Sequence, residues 1–157
     1  MAITKYIHYG SDSFDPYRWV DIINGDGGFL NKPYGGLWAS AVDAKFGWYD
    51  WCKRENFSKH DLAKSFTFTL SENARILYLT PDNVWDLPIT QEYIRRFGRP
   101  LPKEIYGSVR GIDFEALSRE YDVLDFCISK YPSMYWSLYG WDCDSVLILN
   151  KDVIRVE

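Results

Sequence analysis

The clearest hydrophobic rhythm in the chain runs over residues 65–70, where Phe66, Phe68 and Leu70 alternate with Ser65, Thr67 and Thr69. A period of two sends one set to a buried face and the other toward solvent, which predicts a half-buried β-strand. Short β-branched, aromatic or aliphatic runs predict further strands at 3–9, 35–40, 75–79, 123–128, 145–149 and 153–156. Ser71-Glu72-Asn73 predicts a hairpin-type connection between its two neighbouring strands. Trp48, Trp51, Cys52 and Glu55, three and four apart, predict a helix over 42–56 with an indole-rich face. Helices are also expected over 82–87 and 90–97, and over 114–121 behind Asp113 as N-cap, with Phe114, Leu117 and Tyr121 on one face. Residues 12–34 read as a loop with a turn at Asn24-Gly25-Asp26-Gly27-Gly28 and one helical turn near 17–23. Residues 98–111, with Pro100, Pro102, Gly107 and Gly111, and the aromatic stretch 129–140 read as surface loops. Strands interrupted by clustered helices, without regular strand-helix alternation, argue an α+β domain with a mostly antiparallel or mixed sheet.

Length and composition narrow the class. With 157 residues, 46% hydrophobic and 25% charged, the chain is expected to fold as one domain over residues 1–157 with a sizeable core. No apolar run reaches the roughly 18 residues that span a bilayer, and no signal-peptide pattern opens the sequence, so a cytoplasmic protein without a membrane partner is expected. A net charge of −4 disfavours general coating of nucleic acid. Aromatic content is unusual at 18%, so some rings are expected to serve a ligand or partner, although amphipathic Trp and Tyr also fill small cores. Cys52, Cys127 and Cys143 form no CxxC pair, and His8 and His60 show no zinc spacing, which argues against a metal site or a disulfide framework. No Gly-x-Gly-x-x-Gly follows a strand, so a Rossmann dinucleotide site has no support.

Three polar interruptions of strands concentrate the possible chemistry: Tyr6-Ile7-His8-Tyr9-Gly10-Ser11, Lys32-Pro33-Tyr34-Gly35-Gly36-Leu37-Trp38-Ala39-Ser40, and Gly140-Trp141-Asp142-Cys143-Asp144-Ser145. Glycines at strand ends let a backbone approach a planar ligand, and an aromatic face beside free amides suits a nicotinamide. Asp142 and Asp144, two apart before a strand, are expected on one side, where a carboxylate could bond a ribose hydroxyl and stabilise positive charge on its anomeric carbon. Read singly, each feature is equally an ordinary strand end: a satisfied histidine, core indoles, solvated turn acids.

Taken in order, the three segments resemble the ADP-ribosyltransferase superfamily, in the His-Tyr-Glu branch of diphtheria-toxin-like enzymes and poly(ADP-ribose) polymerases. His8, Gly10 and Ser11 are similar to the family's early His-Gly-hydroxyl motif, with Tyr9 inserted. Gly35, Gly36, Trp38, Ala39 and Ser40 are similar to its glycine-approached second strand, and Trp48 or Tyr49 to the ring on the following helix. Asp142-Cys143-Asp144 is similar to its late acidic motif, with Asp144 one methylene shorter than the usual Glu. The resemblance implies split antiparallel sheets with NAD, as substrate, in the cleft between them. It implies Asp144 and His8 as catalytic residues. His8, Gly10, Ser11, Gly36, Trp38, Ser40, Trp48, Tyr49 and Asp142 would hold NAD, and Arg18 could reach a pyrophosphate oxygen. The implied activity is transfer of ADP-ribose to a macromolecular acceptor, a protein before a nucleic acid, as in a bacterial or phage effector, toxin or anti-defence protein. The loops at 98–111 and 131–139 are the expected acceptor contacts.

Two other classes stand beside that expectation. The same fold could bind NAD or ADP-ribose without turnover, or dock on a protein through its aromatic surface. Nucleophilic catalysis by Cys52 or Cys143 with His60 or His8 has the residue types but no local signature.

Overall fold

Every predicted strand forms, and their pairing decides the architecture. The computed structural model describes residues 3–25, 31–56, 61–99 and 108–156. Strands β1 (Tyr6–Tyr9), β2 (Leu37–Ala41), β3 (Ser65–Leu70), β4 (Ile76–Tyr78), β5 (Val123–Phe126), β6 (Ser145–Ile148) and β7 (Ile154–Val156) build one seven-stranded sheet in the order β4-β5-β6-β2-β1-β3-β7. Helices α1 (Trp48–Arg54), α2 (Gln91–Phe97), α3 (Phe114–Glu120) and α4 (Met134–Ser137) complete a mixed α+β fold.

Two topological expectations are corrected. Instead of two separate antiparallel sheets there is one continuous mixed sheet, in which β4 and β5 run parallel. The continuity comes from β2, which pairs with β6 through Leu37, Trp38 and Ala39 on one edge and with β1 through Ser40 and Ala41 on the other. The expected hairpin at Ser71-Glu72-Asn73 does not form either. Strand β3 pairs with β1 and β7, whereas β4 lies at the opposite edge beside β5.

Strand alternation sorts the side chains into two clusters. Trp38, Leu77, Leu124, Phe126 and Leu147 join the cluster that holds Phe114 and Leu117 of α3 and Met134 of α4. Their strand neighbours Leu37, Ala39, Ile76, Val123, Val146 and Ile148 join a second cluster with Tyr6, Phe66 and Phe68. Strand β6 is buried at every position, as expected of a central strand with both faces covered. Tyr6 of β1 and Tyr78 of β4, four places apart in the strand order, nevertheless line one cavity, so the sheet curls over on the face they share.

The helix boundaries have local causes. Helix α1 begins only at Trp48, because Gly47 is its N-cap and donates its N–H to Asp50 at 3.0 Å, while Ser40 Oγ accepts from the Trp48 N–H at 2.9 Å. Asp113 caps α3 as expected, accepting from the Ala116 N–H at 3.0 Å. Asn24 reinforces it across the chain, its Oδ1 accepting from the Phe114 and Glu115 N–H groups. Helix α4 lies in the stretch expected as an aromatic loop. The signal for it was present in Met134, Leu138 and Trp141, all buried at helical spacing.

Asp122 ties three strands together. Its carboxylate accepts from the Arg75 backbone N–H, the Arg75 guanidinium and the Asn150 amide, and these interactions hold it below the usual carboxylate range, the guanidinium first. A carboxylate lowered in this way stabilises the fold above its unfolded-state pKa, and that contribution is lost as pH falls through the folded value.

The turn into β2 leaves no room for a side chain. Gly36 has φ +72°, and a Cβ there would lie 2.8 Å from the Ile148 carbonyl oxygen. Gly36→Ala should therefore destabilise the fold by about 2 kcal/mol or more, read as a lowered urea midpoint with an unchanged slope. An unaltered midpoint would show that β2 accommodates the strain elsewhere.

Candidate functional site

His8 stands near the end of β1 on the face it shares with Phe66, its pairing partner on β3, with ring centroids 5.3 Å apart. Its Nδ1 lies 2.6 Å from the Trp38 carbonyl oxygen. A carbonyl only accepts, so Nδ1 carries the proton and the neutral ring keeps Nε2 as an acceptor. Burial lowers the His8 pKa, against a smaller opposing effect of that hydrogen bond, so the ring is neutral at pH 7. His8 lines an open groove of about 560 Å³ with Ser11, Arg18, Gly36, Leu37 and Phe66 among its other walls. Arg18 is exposed and 3.7 Å from Asp15, so its guanidinium stands at the rim on a solvated side chain.

The glycines do not present free amides to this groove. The Gly10 N–H donates to the Lys64 carbonyl at 2.8 Å, and the Gly36 N–H to the Val20 carbonyl at 2.9 Å. At Gly35, a Cβ would collide with the backbone of Val20 and Asp21. Their smallness lets the 20–22 segment pack on the start of β2, and the expected clamp on a carboxamide is already closed by the chain itself.

Trp38 is not in the groove. It is adjacent to Leu37 and Ala39, which face the His8 side, and strand alternation sends its indole to the other face. There it packs edge-on against Trp141 at 4.8 Å and Trp48 at 6.1 Å, and Trp48 continues the row to Trp51 at 5.9 Å. The Lys32 ammonium sits 5.4 Å from the Trp38 ring and 5.3 Å from the Trp48 ring. Tyr49 is exposed, contacts Tyr9 at 5.8 Å and carries the Lys53 ammonium over its ring at 5.6 Å. Trp38 and Trp48 are thus part of the fold's packing, and two stacking faces around a ligand are not what the geometry provides.

Asp144 is also placed differently from the expectation. It is buried, and its carboxylate accepts from the Ser129 N–H at 2.9 Å, the Ser129 hydroxyl at 2.6 Å and the Phe46 N–H at 3.2 Å. Ser40 Oγ donates to the Asp144 carbonyl at 2.8 Å while capping α1, so Ser40 and Asp144 together fasten the α1 approach to β6. Residues 143 and 144 form a bend before β6, so strand alternation does not hold there: Asp144 is buried and Asp142 half-buried. Of the expected site residues, the groove gathers His8, Ser11 and Gly36; it does not gather Gly10, Trp38, Ser40, Trp48, Tyr49, Asp142 or Asp144.

The cysteines offer no nucleophile. Burial pushes the Cys52, Cys127 and Cys143 thiols up, which keeps them protonated. His60 and residues 100–107 of the expected acceptor loop lie outside the described residues, as does most of the glycine turn after Asn24. Among the described residues no cluster of His, Cys, Asp and Glu could hold a metal, and no helix is long and apolar enough to cross a membrane.

Sequence reasoning missed Asp125. It interrupts an otherwise apolar row on the curled face, paired with Val146 of β6 and Tyr78 of β4. Burial, and behind it the nearby Asp144 charge, raises its pKa to about 6. A lone acid inside the apolar run at 123–128 was the available signal. Comparison with family models, curated proteins and solved structures gives no match to this chain.

Three outcomes follow from this geometry. Asp144→Ala strands the Phe46 and Ser129 N–H groups and should cost on the order of 2–4 kcal/mol in urea denaturation; a loss under about 0.5 would show the three bonds to be dispensable. Trp38→Ala should cost on the order of 3 kcal/mol by removing an indole from the packed row, read in the same way. Asp125 has the opposite character. Its folded-state pKa exceeds the unfolded value near 4, so between pH 4 and 6 the folded state binds more protons and stability falls as pH rises. Asp125→Asn should remove that decline, leaving the variant with a higher Tm than the parent at pH 7.5 and an equal one at pH 4; equal values at both would place Asp125 in a solvated setting.

Proposed function

We propose that the chain binds a nucleotide containing ADP-ribose, with NAD the expected one, in the groove of His8, Ser11, Arg18 and Phe66, and that it does so without using Asp144 as a catalytic carboxylate. The observation that carries the proposal is the His8 ring, fixed through Nδ1 on the Trp38 carbonyl and left with Nε2 as an acceptor for a ribose hydroxyl. Phe66 and Phe14, with centroids 6.1 Å apart, give the groove an aromatic wall, and Arg18 at the rim is a fork donor for phosphate oxygens. The resemblance in motif order supports the same ligand. Binding without turnover is favoured over transfer because Asp144 already accepts three hydrogen bonds within the fold.

NAD and ADP-ribose at millimolar concentration should raise the Tm of the wild type, since a ligand bound only by the folded state stabilises it. His8→Ala should abolish the rise. Trp48→Ala should retain it, its indole lying in the row with Trp38 and Trp51. Binding should also weaken in acid, where His8, its pKa held below the ordinary value by burial, takes up a proton and loses its acceptor. No Tm shift with either nucleotide would sink the reading. Hydrolysis of NAD that disappears in a folded Asp144→Asn variant would return Asp144 to the chemistry and restore the transferase.

A further inference from the structure

The curled sheet forms a second, open cavity of about 490 Å³ that shares no lining residue with the His8 groove. Its walls include Tyr6 from β1, Tyr78 from β4 and Asp125 from β5. Tyr6 is buried and its ring stacks on Phe68 at 5.7 Å, so one side of the cavity is a fixed aromatic surface. Tyr78 is exposed on the edge strand and borders the opening. Between them in the fold, Asp125 occupies a position whose β6 neighbour is Val146, where an apolar side chain would ordinarily stand.

The charges around Asp125 leave one kind of vacancy to fill. Asp144 also lines the cavity, but its carboxylate is engaged by Ser129 and the Phe46 N–H. Asp43, Lys45 and Lys130 line it too, all three exposed to solvent, and the Lys130 ammonium lies 5.4 Å from the Tyr131 ring. Among the described residues no hydrogen bond reaches the Asp125 carboxylate, and no cation contributes to its titration. Tyr6 feels the same field: after burial, the charges of Asp125, Tyr78 and Asp43 raise its pKa to about 12. A half-buried carboxylate that faces no protein donor gains from a cationic partner, and two tyrosine rings favour the same kind of partner.

We propose that this cavity binds the cationic head of a small organic amine or guanidine, seated against the Asp125 carboxylate with the Tyr6 and Tyr78 side chains on its flanks. The volume falls in the range of small-molecule pockets, so the ligand is a compact molecule and not a polymer segment. Ammonium and amidinium heads share the required chemistry, a positive charge that donates N–H bonds. A neutral amide of the same shape lacks the charge, and that difference separates cation recognition from simple filling of an apolar space. The site is independent of the nucleotide groove.

The test uses benzamidine and benzylamine as probes and neutral benzamide as control, with binding measured by calorimetry and by Tm at pH 8. Either cation should bind the wild type at least tenfold more tightly than benzamide. Asp125→Asn, checked for folding by circular dichroism, should lose that preference, and Tyr78→Ala, a change at an exposed edge position, should weaken the cations several-fold. Cation affinity in the wild type should fall as pH drops below about 6, with Asp125 taking up a proton among Asp144, Asp43, Tyr6, Tyr78, Cys127, Lys45 and Lys130. His8→Ala should leave all of this unchanged, which separates failure here from failure of the nucleotide reading. Absence of binding by both cations, or equal binding of cations by wild type and Asp125→Asn, overturns the proposal.

Discussion

The two-sided pairing of β2 is the constraint on which the rest of the structure depends. Its first three residues hydrogen-bond to β6 and its last two to β1, so the two groups of strands meet across one short segment. The glycine pair before it sets the direction from which the chain arrives, with φ +79° at Gly35 and +72° at Gly36, a backbone region that other residues avoid. Because the Gly36 N–H bonds to Val20, the segment that walls the His8 groove is held in place by the start of the same strand. The curl of the sheet then produces the second cavity, since Tyr6 and Tyr78 can line one space only if the strands between them bend together.

This arrangement separates roles that the sequence placed close together. His8 and Trp38 are linked through a hydrogen bond from a ring nitrogen to a backbone carbonyl, yet their side chains lie on opposite faces. The two-residue period of a strand is responsible, since Trp38 shares neither face nor environment with Ala39, which continues the His8 side. The Trp38 and Trp141 indoles consequently serve the core. A row from Trp51 through Trp48 and Trp38 to Trp141 buries large rings edge-on, and Phe126 extends it at 5.5 Å from Trp141.

Much of the fold was legible because its signals are local. The alternation in β3, the Asp113 cap on α3 and the apolar runs of β5 and β6 are written in neighbouring residues, and those elements stand where the sequence predicts them. Pairing between distant strands is not written locally. Nothing in Ser71-Glu72-Asn73 distinguishes a hairpin from a chain leaving for the far edge, and nothing in β2 announces that both its edges are used at staggered positions. The site was less legible for a related reason. Gly10, Gly36, Ser40 and Asp144 were singled out as groups that could bond a ligand, but each spends that capacity on a partner far along the chain: Lys64, Val20, Trp48 with the Asp144 carbonyl, and Ser129 with Phe46.

The contrast between Asp144 and Asp125 shows how little residue type alone says about what an acid does in the fold. Asp144 stands before an apolar run and Asp125 inside one, and only the first belongs to a motif that resembles a catalytic one. Asp144 is satisfied by three donors, so its charge is balanced within the fold and removing it exposes buried N–H groups. Asp125 is half-buried, and desolvation, with the Asp144 charge behind it, raises its pKa to about 6 and makes its ionised form a cost to the folded state at neutral pH. A group of the first kind is retained for stability. A group of the second kind weakens the fold at neutral pH, and that cost is what an amine seated in the proposed cavity would offset.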